Sequence, residues 1–171
     1  PMGREKLTDV TLLCENGQFS ILPECGFKMY SAIYKGRQLL MPTANVSVGG
    51  AANGVPILFP FPNRHKDCKY TYDGKEYAIL KDGKEMYLHG LVVSEPFEFS
   101  FGADEEKAWC KGWYKIDEHT EFFGSYPFPC TLTLTYTLNK EGLTLRYEVK
   151  NEGEKAQPYG FAIHPYFPKF G

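Results

Sequence analysis

Residues 131–138 read TLTLTYTL and residues 143–150 read LTLRYEVK, with NKEG between them at positions 139–142. In both runs, every second residue is apolar and the residues between are threonine or charged, with no exception. Successive side chains of a β-strand point to opposite faces, so each run predicts a strand with one buried face and one wetted face. The short polar connection then predicts a β-hairpin.

Further strands are predicted on both sides of this hairpin. Asp73-Gly74 and Asp82-Gly83 are dipeptides that tolerate the positive φ of tight hairpin turns, and each lies between short strand-like runs. Additional strand-like runs occupy residues 10–13, 19–22, 28–34, 97–101 and 107–114. A short helical turn is expected at 117–122, and the Gly-, Pro- and Asn-rich segment 41–67 is expected to be a long functional loop. Since no long segment has apolar residues at helical spacing, the predicted class is all-β.

Composition excludes several classes of protein. The 171 residues are 43% hydrophobic and 23% charged, which is incompatible with a disordered or low-complexity chain. A net charge of -2 offers no electrostatic attraction for nucleic acid or an anionic membrane, and neither is expected as a partner. No apolar run approaches the roughly 20 residues that span a bilayer. Residues 1–171 are expected to form a single β-sandwich domain or the N-terminal part of one.

The cysteines indicate a compartment. There are 5, widely scattered, and no pair has C-x-x-C spacing. An odd number would leave one thiol unpaired in a secreted protein, so reduced thiols and a cytoplasmic location are expected.

Three stretches bring a polar residue into apolar surroundings. Residues 53–64 (NGVPILFPFPNR) end in Asn63 and Arg64, residues 86–92 (MYLHGLV) carry His89 within a predicted strand, and residues 159–167 (YGFAIHPYF) carry His164. A buried guanidinium needs a polar partner or ligand, and an imidazole that titrates near neutrality suits proton transfer. The alternatives are a surface arginine after a turn, a core histidine bonded to a carbonyl, and a structural role for His164, whose pairing is expected to end at Pro165.

Other chemistries are weakly supported. His65 and Cys68 have a spacing that could share a metal, but no second pair completes a tetrahedral zinc site, so no metal is predicted. The sequence has no nucleophile elbow, P-loop or dinucleotide-binding glycine pattern, and no cofactor is expected.

In this order, the three stretches resemble the aldose 1-epimerase (galactose mutarotase-like) family. The matching residues run from Gly54 to Pro60, then Asn63-Arg64, then 88–90 (LHG) and 164–167 (HPYF). The resemblance covers essentially the whole chain and implies an antiparallel β-sandwich, often called a supersandwich, with a sugar site on a concave sheet face. It implies that His164 is the general acid, that His89 binds near the anomeric or ring oxygen, that Arg64 binds sugar hydroxyls, and that Asn63 shapes the same loop.

The resemblance also implies that part of the site lies elsewhere. The family's general base is a glutamate from a later part of the chain, so a second chain or a missing C-terminal segment is expected to supply it and to complete the fold. Ile163 occupies the position where galactose mutarotases carry asparagine, which leaves the sugar open, including a phosphorylated hexose. The expected function is interconversion of hexose anomers; the alternatives are a non-catalytic carbohydrate-binding sandwich and an interaction module.

Overall fold

The computed structural model describes residues 8–42, 52–86 and 88–169, and these form an antiparallel β-protein. One 3₁₀ turn covers Lys66–Cys68. The strands are β1 (Val10–Cys14), β2 (Gly17–Leu22), β3 (Lys28–Tyr34), β4 (Arg37–Gln38), β5 (Ile57–Leu58), β6 (Lys69–Tyr72), β7 (Lys75–Ala78), β8 (Leu80–Lys81), β9 (Lys84–Glu85), β10 (Glu98–Ala103), β11 (Lys107–Ile116), β12 (Cys130–Asn139), β13 (Gly142–Asn151) and β14 (Ala162–Ile163).

Two sheets of four strands carry most of the structure. One has the order β1-β2-β3-β4 and the other the order β10-β11-β12-β13, so each is a meander in which neighbours in sequence pair. Strands β5 and β14, which are far apart in sequence, form a separate two-stranded pair. The predicted hairpin is confirmed, because β12 and β13 pair in register from Cys130↔Asn151 to Asn139↔Gly142. The predicted Asp-Gly turns are confirmed as well, since they join β6 to β7 and β8 to β9.

The core lies between the two large sheets. Every second residue of β12 is buried, as the alternation of residues 131–138 predicts. The Phe27 ring, at the start of the first sheet's third strand, stacks on Tyr136 at 5.8 Å between centroids. It also covers Gly112 so closely that a Cβ there would lie 2.2 Å from the ring, and glycine is therefore required at this crossing. The sheets thus pack as a sandwich, which confirms the predicted fold class.

Two regions differ in detail from the expectations. The segment 41–67, expected to be a loop, contains a strand: residues 54–61 are buried and include β5, while 43–51 lie outside the described residues. Such a short, fully buried apolar run lacks the alternation that marks a half-exposed strand. Residues 117–122 form hydrogen-bonded turns and no helix, with Thr120 N–H donating to Asp117 O at 2.9 Å and Phe123 N–H donating to Thr120 O at 2.9 Å.

An apolar groove opens between the sheets at one end of the sandwich. It has a volume of about 1040 Å³ and is lined by side chains of both sheets, among them Phe19, Leu40, Leu138 and Leu145. Ile163 and Phe167 line its edge and are 44% and 61% exposed. Within the described ranges, no helix has both the length and the apolar character needed to cross a bilayer.

Candidate active site

Backbone pairing with the Gly54–Leu58 segment fixes the position of His164. Strand β14 pairs with β5 through Ala162↔Leu58 and Ile163↔Ile57. The pairing continues beyond the strand, because His164 N–H donates to Pro56 O at 3.1 Å and Tyr166 N–H donates to Gly54 O at 3.0 Å. Strand β14 ends at Ile163, so His164 lies at a strand end as predicted, although the residues on both sides of Pro165 still donate to the same partner segment.

His89 lies on a tight backbone crossing. It has φ +66°, a left-handed conformation, so the prediction that it lies within a strand is wrong. Its N–H donates to Asn63 O at 2.9 Å, and Leu88 forms an isolated bridge with Arg64. Gly90 follows with φ +80°, and a Cβ there would lie 2.4 Å from Phe59 O. Only glycine fits this approach, which locks the histidine against the 59–64 segment.

The two histidines meet in the folded chain. Their ring centroids are 5.1 Å apart, with planes inclined by 63°. The Tyr166 ring lies beside His164, with centroids 5.0 Å apart. In both histidines Nδ1 is buried and has no hydrogen-bond partner among the described residues.

Electrostatics favour a neutral imidazole at His89. Burial lowers its pKa below the ordinary value of 6.5, and the neighbouring His164 and the Arg64 guanidinium lower it further. At neutral pH the ring is therefore uncharged and keeps one N–H donor and one acceptor. The backbone of Arg64 pairs with Leu88, which places this arginine on the strand-like segment beside His89.

The structure brings His89 and His164 together and places Asn63 and Arg64 on the segment that bonds to residues 88–89. Arg64 is exposed and forms no ion pair within the described part of the chain, which leaves its donors available to a ligand. Asn63 is exposed with φ +68°, and its contact with the site is the backbone carbonyl that receives His89 N–H. Tyr166 was not among the predicted site residues, although its position two residues after His164 in an extended segment is the signal that places both on one face.

His65, which has a spacing to Cys68 that could share a metal, packs against aromatic side chains. The His65 ring packs edge-on against Phe61 at 4.9 Å and lies near Tyr70 at 6.3 Å. Among the residues that the structure describes, no three His, Cys, Asp or Glu side chains are grouped so as to hold a metal ion.

A family model described as Aldose 1-epimerase matches residues 24–169, a range that contains both histidines and Arg64. This chain belongs to the aldose 1-epimerase family. Among curated relatives, the Escherichia coli K12 protein named "Uncharacterized protein YihR" is 30% identical over 113 residues, which are 64% of this family member and 34% of YihR.

Solved structures of similar fold extend the comparison. Slr1438 from Synechocystis sp. PCC 6803 superposes with a TM-score of 0.81 at 20% identity, covering 95% of this aldose 1-epimerase family member and 55% of Slr1438. Galactose 1-epimerase from Lactobacillus acidophilus NCFM superposes with a TM-score of 0.74 at 15% identity, covering 98% of this chain and 50% of that enzyme. The chain therefore shares their fold and spans about half the length of these two structures.

Proposed function

We propose that the protein is an aldose 1-epimerase that interconverts the α and β anomers of a hexose by acid/base ring opening. The observation that carries the proposal is the pair of imidazoles at His89 and His164, 5.1 Å apart and close to an unpaired guanidinium at Arg64. Family membership supports the same reaction class.

The reaction needs one acid and one base. His164 donates a proton from Nε2 to the ring oxygen while a base removes the proton of the C1 hydroxyl. The bond between C1 and the ring oxygen breaks, C1 becomes an aldehyde carbon, and rotation about the C1–C2 bond presents its other face. Closure by the reverse transfers gives the opposite anomer. Each positioned acid or base contributes roughly 10²–10⁴-fold, because neither oxygen has to carry a full charge.

His89 and Arg64 bind the sugar in this proposal. The neutral His89 ring offers one donor and one acceptor near the anomeric and ring oxygens. The planar Arg64 guanidinium spans two adjacent hydroxyls, since its donors lie in a fixed fork. Asn63 shapes the loop that holds both groups, because its carbonyl receives His89 N–H.

The general base is assigned to a carboxylate from outside this segment. Within the described ranges no carboxylate forms an ion pair with His89, His164 or Arg64. The substrate is proposed to be a hexose, free or phosphorylated. All 5 cysteines are free thiols, which fits a reducing compartment and supports a cytoplasmic location.

Polarimetry of freshly dissolved sugars tests the proposal. With the full protein, we expect α-glucose, α-galactose or one of their 6-phosphates to reach the equilibrium rotation faster than in buffer, in proportion to protein concentration. Rates equal to buffer for all of these sugars would contradict it.

A non-catalytic carbohydrate-binding role is the second candidate. It is favoured by the same finding that no carboxylate pairs with His89, His164 or Arg64 within the described ranges, because binding of hydroxyls requires no base. It predicts saturable heat of sugar binding by calorimetry with an unchanged rate of anomer exchange.

A further inference from the structure

Lys28 is a fully buried cation near the site. It is 0% exposed at the start of β3, and burial lowers its pKa below the ordinary value of 10.5, with a smaller opposing effect from Cys25. Taking an ammonium group out of water is costly, so a buried lysine is retained where its hydrogen bonds serve the structure.

The lysine holds the start of the segment that carries the site. Its Nζ donates to Asn53 Oδ1 at 2.9 Å. The next residue, Gly54, has φ +67°, and a Cβ there would lie 2.5 Å from Met29 O. Val55 N–H then donates to Met29 O at 2.8 Å. One side of the 53–55 segment is therefore fixed to β3 by two hydrogen bonds and a close backbone contact.

The other side of the same segment holds His164. The carbonyl of Gly54 accepts Tyr166 N–H at 3.0 Å, and the carbonyl of Pro56 accepts His164 N–H at 3.1 Å. The two residues that hold this segment, Gly54 and Pro56, follow Asn53 by one and three positions. A displacement of Asn53 would therefore be passed to His164 through these two backbone hydrogen bonds. Gly54 is the one residue between Asn53, whose side-chain amide binds Lys28, and Val55, whose N–H bonds to Met29 in β3.

We propose that Lys28, acting through Asn53, is a positioning residue that sets the orientation of the His164 ring against His89. The orientation of the ring does not depend on the proposed function. The link between this orientation and the rate of anomer exchange rests on it. Neither Lys28 nor Asn53 takes part in proton transfer. A misplacement of about 1 Å far from the reacting atoms is enough to lower a rate by on the order of 10²-fold, which makes such a support functionally relevant.

The test compares Asn53→Ala, which removes the acceptor, with Asn53→Asp, which keeps an oxygen for the lysine. Ser125→Ala is the control, because Ser125 is a polar residue that likewise joins two chain segments, accepting from Leu80 N–H at 2.7 Å and donating to Leu80 O at 3.0 Å. Each variant is made in the full protein with histidine rings labelled for NMR.

The primary readout is the nuclear Overhauser effect between ring protons of His89 and His164, which needs no turnover. We expect Asn53→Ala to lower this effect to less than half and Asn53→Asp and Ser125→Ala to retain it. The kcat for anomer exchange should fall about tenfold in Asn53→Ala with KM within about twofold, and Asn53→Asp should restore it.

A folded Asn53→Ala protein in which the nuclear Overhauser effect between the two histidine rings (the ring effect) is unchanged would overturn the inference. Lys28→Met should reproduce the Asn53→Ala result, and a normal ring effect in folded Lys28→Met would remove the lysine from the proposal. A wild-type protein without anomer exchange whose ring effect still depends on Asn53 would contradict the proposed function and support the positioning role.

Discussion

The imidazole rings of His89 and His164 lie 5.1 Å apart although they belong to different hydrogen-bonded segments, one anchored on Asn63 and the other on Pro56. Residues 54–64 connect these two anchors, so a single stretch of chain, buried from 54 to 61, organises both rings. The proposed acid and its neighbour are therefore positioned by backbone contacts that do not depend on a bound sugar.

Replacing His164 by glutamine should separate binding from catalysis. Glutamine keeps a hydrogen-bonding group but cannot donate a proton as an acid, so we expect anomer exchange to fall by roughly 10²–10⁴-fold. Sugar affinity, measured by calorimetry, should change only a few-fold. His119→Gln is the matched control, because the His119 side chain is 85% exposed and lies outside the site. Full turnover by His164→Gln would assign the acid to another group.

Replacing Arg64 by methionine should weaken sugar binding. The substitution preserves much of the side-chain length but removes the guanidinium, and hydrogen bonds from a charged group are worth about 1.5–3 kcal/mol. We expect Kd from calorimetry to rise about tenfold to hundredfold. Arg146→Met serves as the control, since Arg146 is an exposed arginine paired with Glu148 at 3.0 Å. Equal affinities of the two variants would contradict the role of Arg64.

Gly90→Ala should destabilise the protein more than Gly83→Ala. Both glycines have positive φ, +80° and +69°, but a Cβ at Gly90 meets Phe59 O at 2.4 Å whereas nothing lies within 4 Å at Gly83. Backbone strain alone costs about 1 kcal/mol, which is the expected loss for Gly83→Ala. Gly90→Ala should lose on the order of 3 kcal/mol, measured by urea unfolding. Similar losses in the two variants would show that the crossing is not tightly packed.

The pKa of His89 should be measurable by histidine-ring NMR as a titration midpoint below the ordinary 6.5, because burial disfavours the charged ring. Removal of one neighbouring positive charge in His164→Gln should raise the midpoint of His89 without bringing it to 6.5, since burial remains. The unfolded chain binds this proton more readily than the folded chain, so the contribution of His89 to stability falls as pH decreases below 6.5. A midpoint above 6.5 would contradict this account.

The alternation of apolar and polar residues made the larger sheets predictable. The segment that carries the candidate site has no such alternation, so its strand was not predicted. The alternation in 131–138 predicts β12 because one face of that strand is buried and the other is not. Residues 57–61 are buried throughout and include Pro60, so they have no alternation to detect. Their pairing with Ala162 and Ile163 joins distant parts of the chain, and no local pattern specifies it.

The candidate site residues could be singled out from their residue types and surroundings in the sequence, whereas their geometry could not. Arg64, His89 and His164 stood out as polar groups in apolar stretches, and the family resemblance joined them into one site. The left-handed conformation of His89 was not foreseen, because positive φ is uncommon for residues other than glycine. It depends on the crossing of Gly90 over Phe59, which is a tertiary contact.

The open groove of about 1040 Å³ also affects how the molecule is handled. Its lining combines apolar side chains such as Leu138 and Leu145 with charged ones such as Glu105 and Lys107. The apolar part is unfavourable against water, so we expect the groove to take up amphiphilic molecules such as mild detergents. A detergent in the purification buffer should therefore reduce association of this sandwich at high concentration.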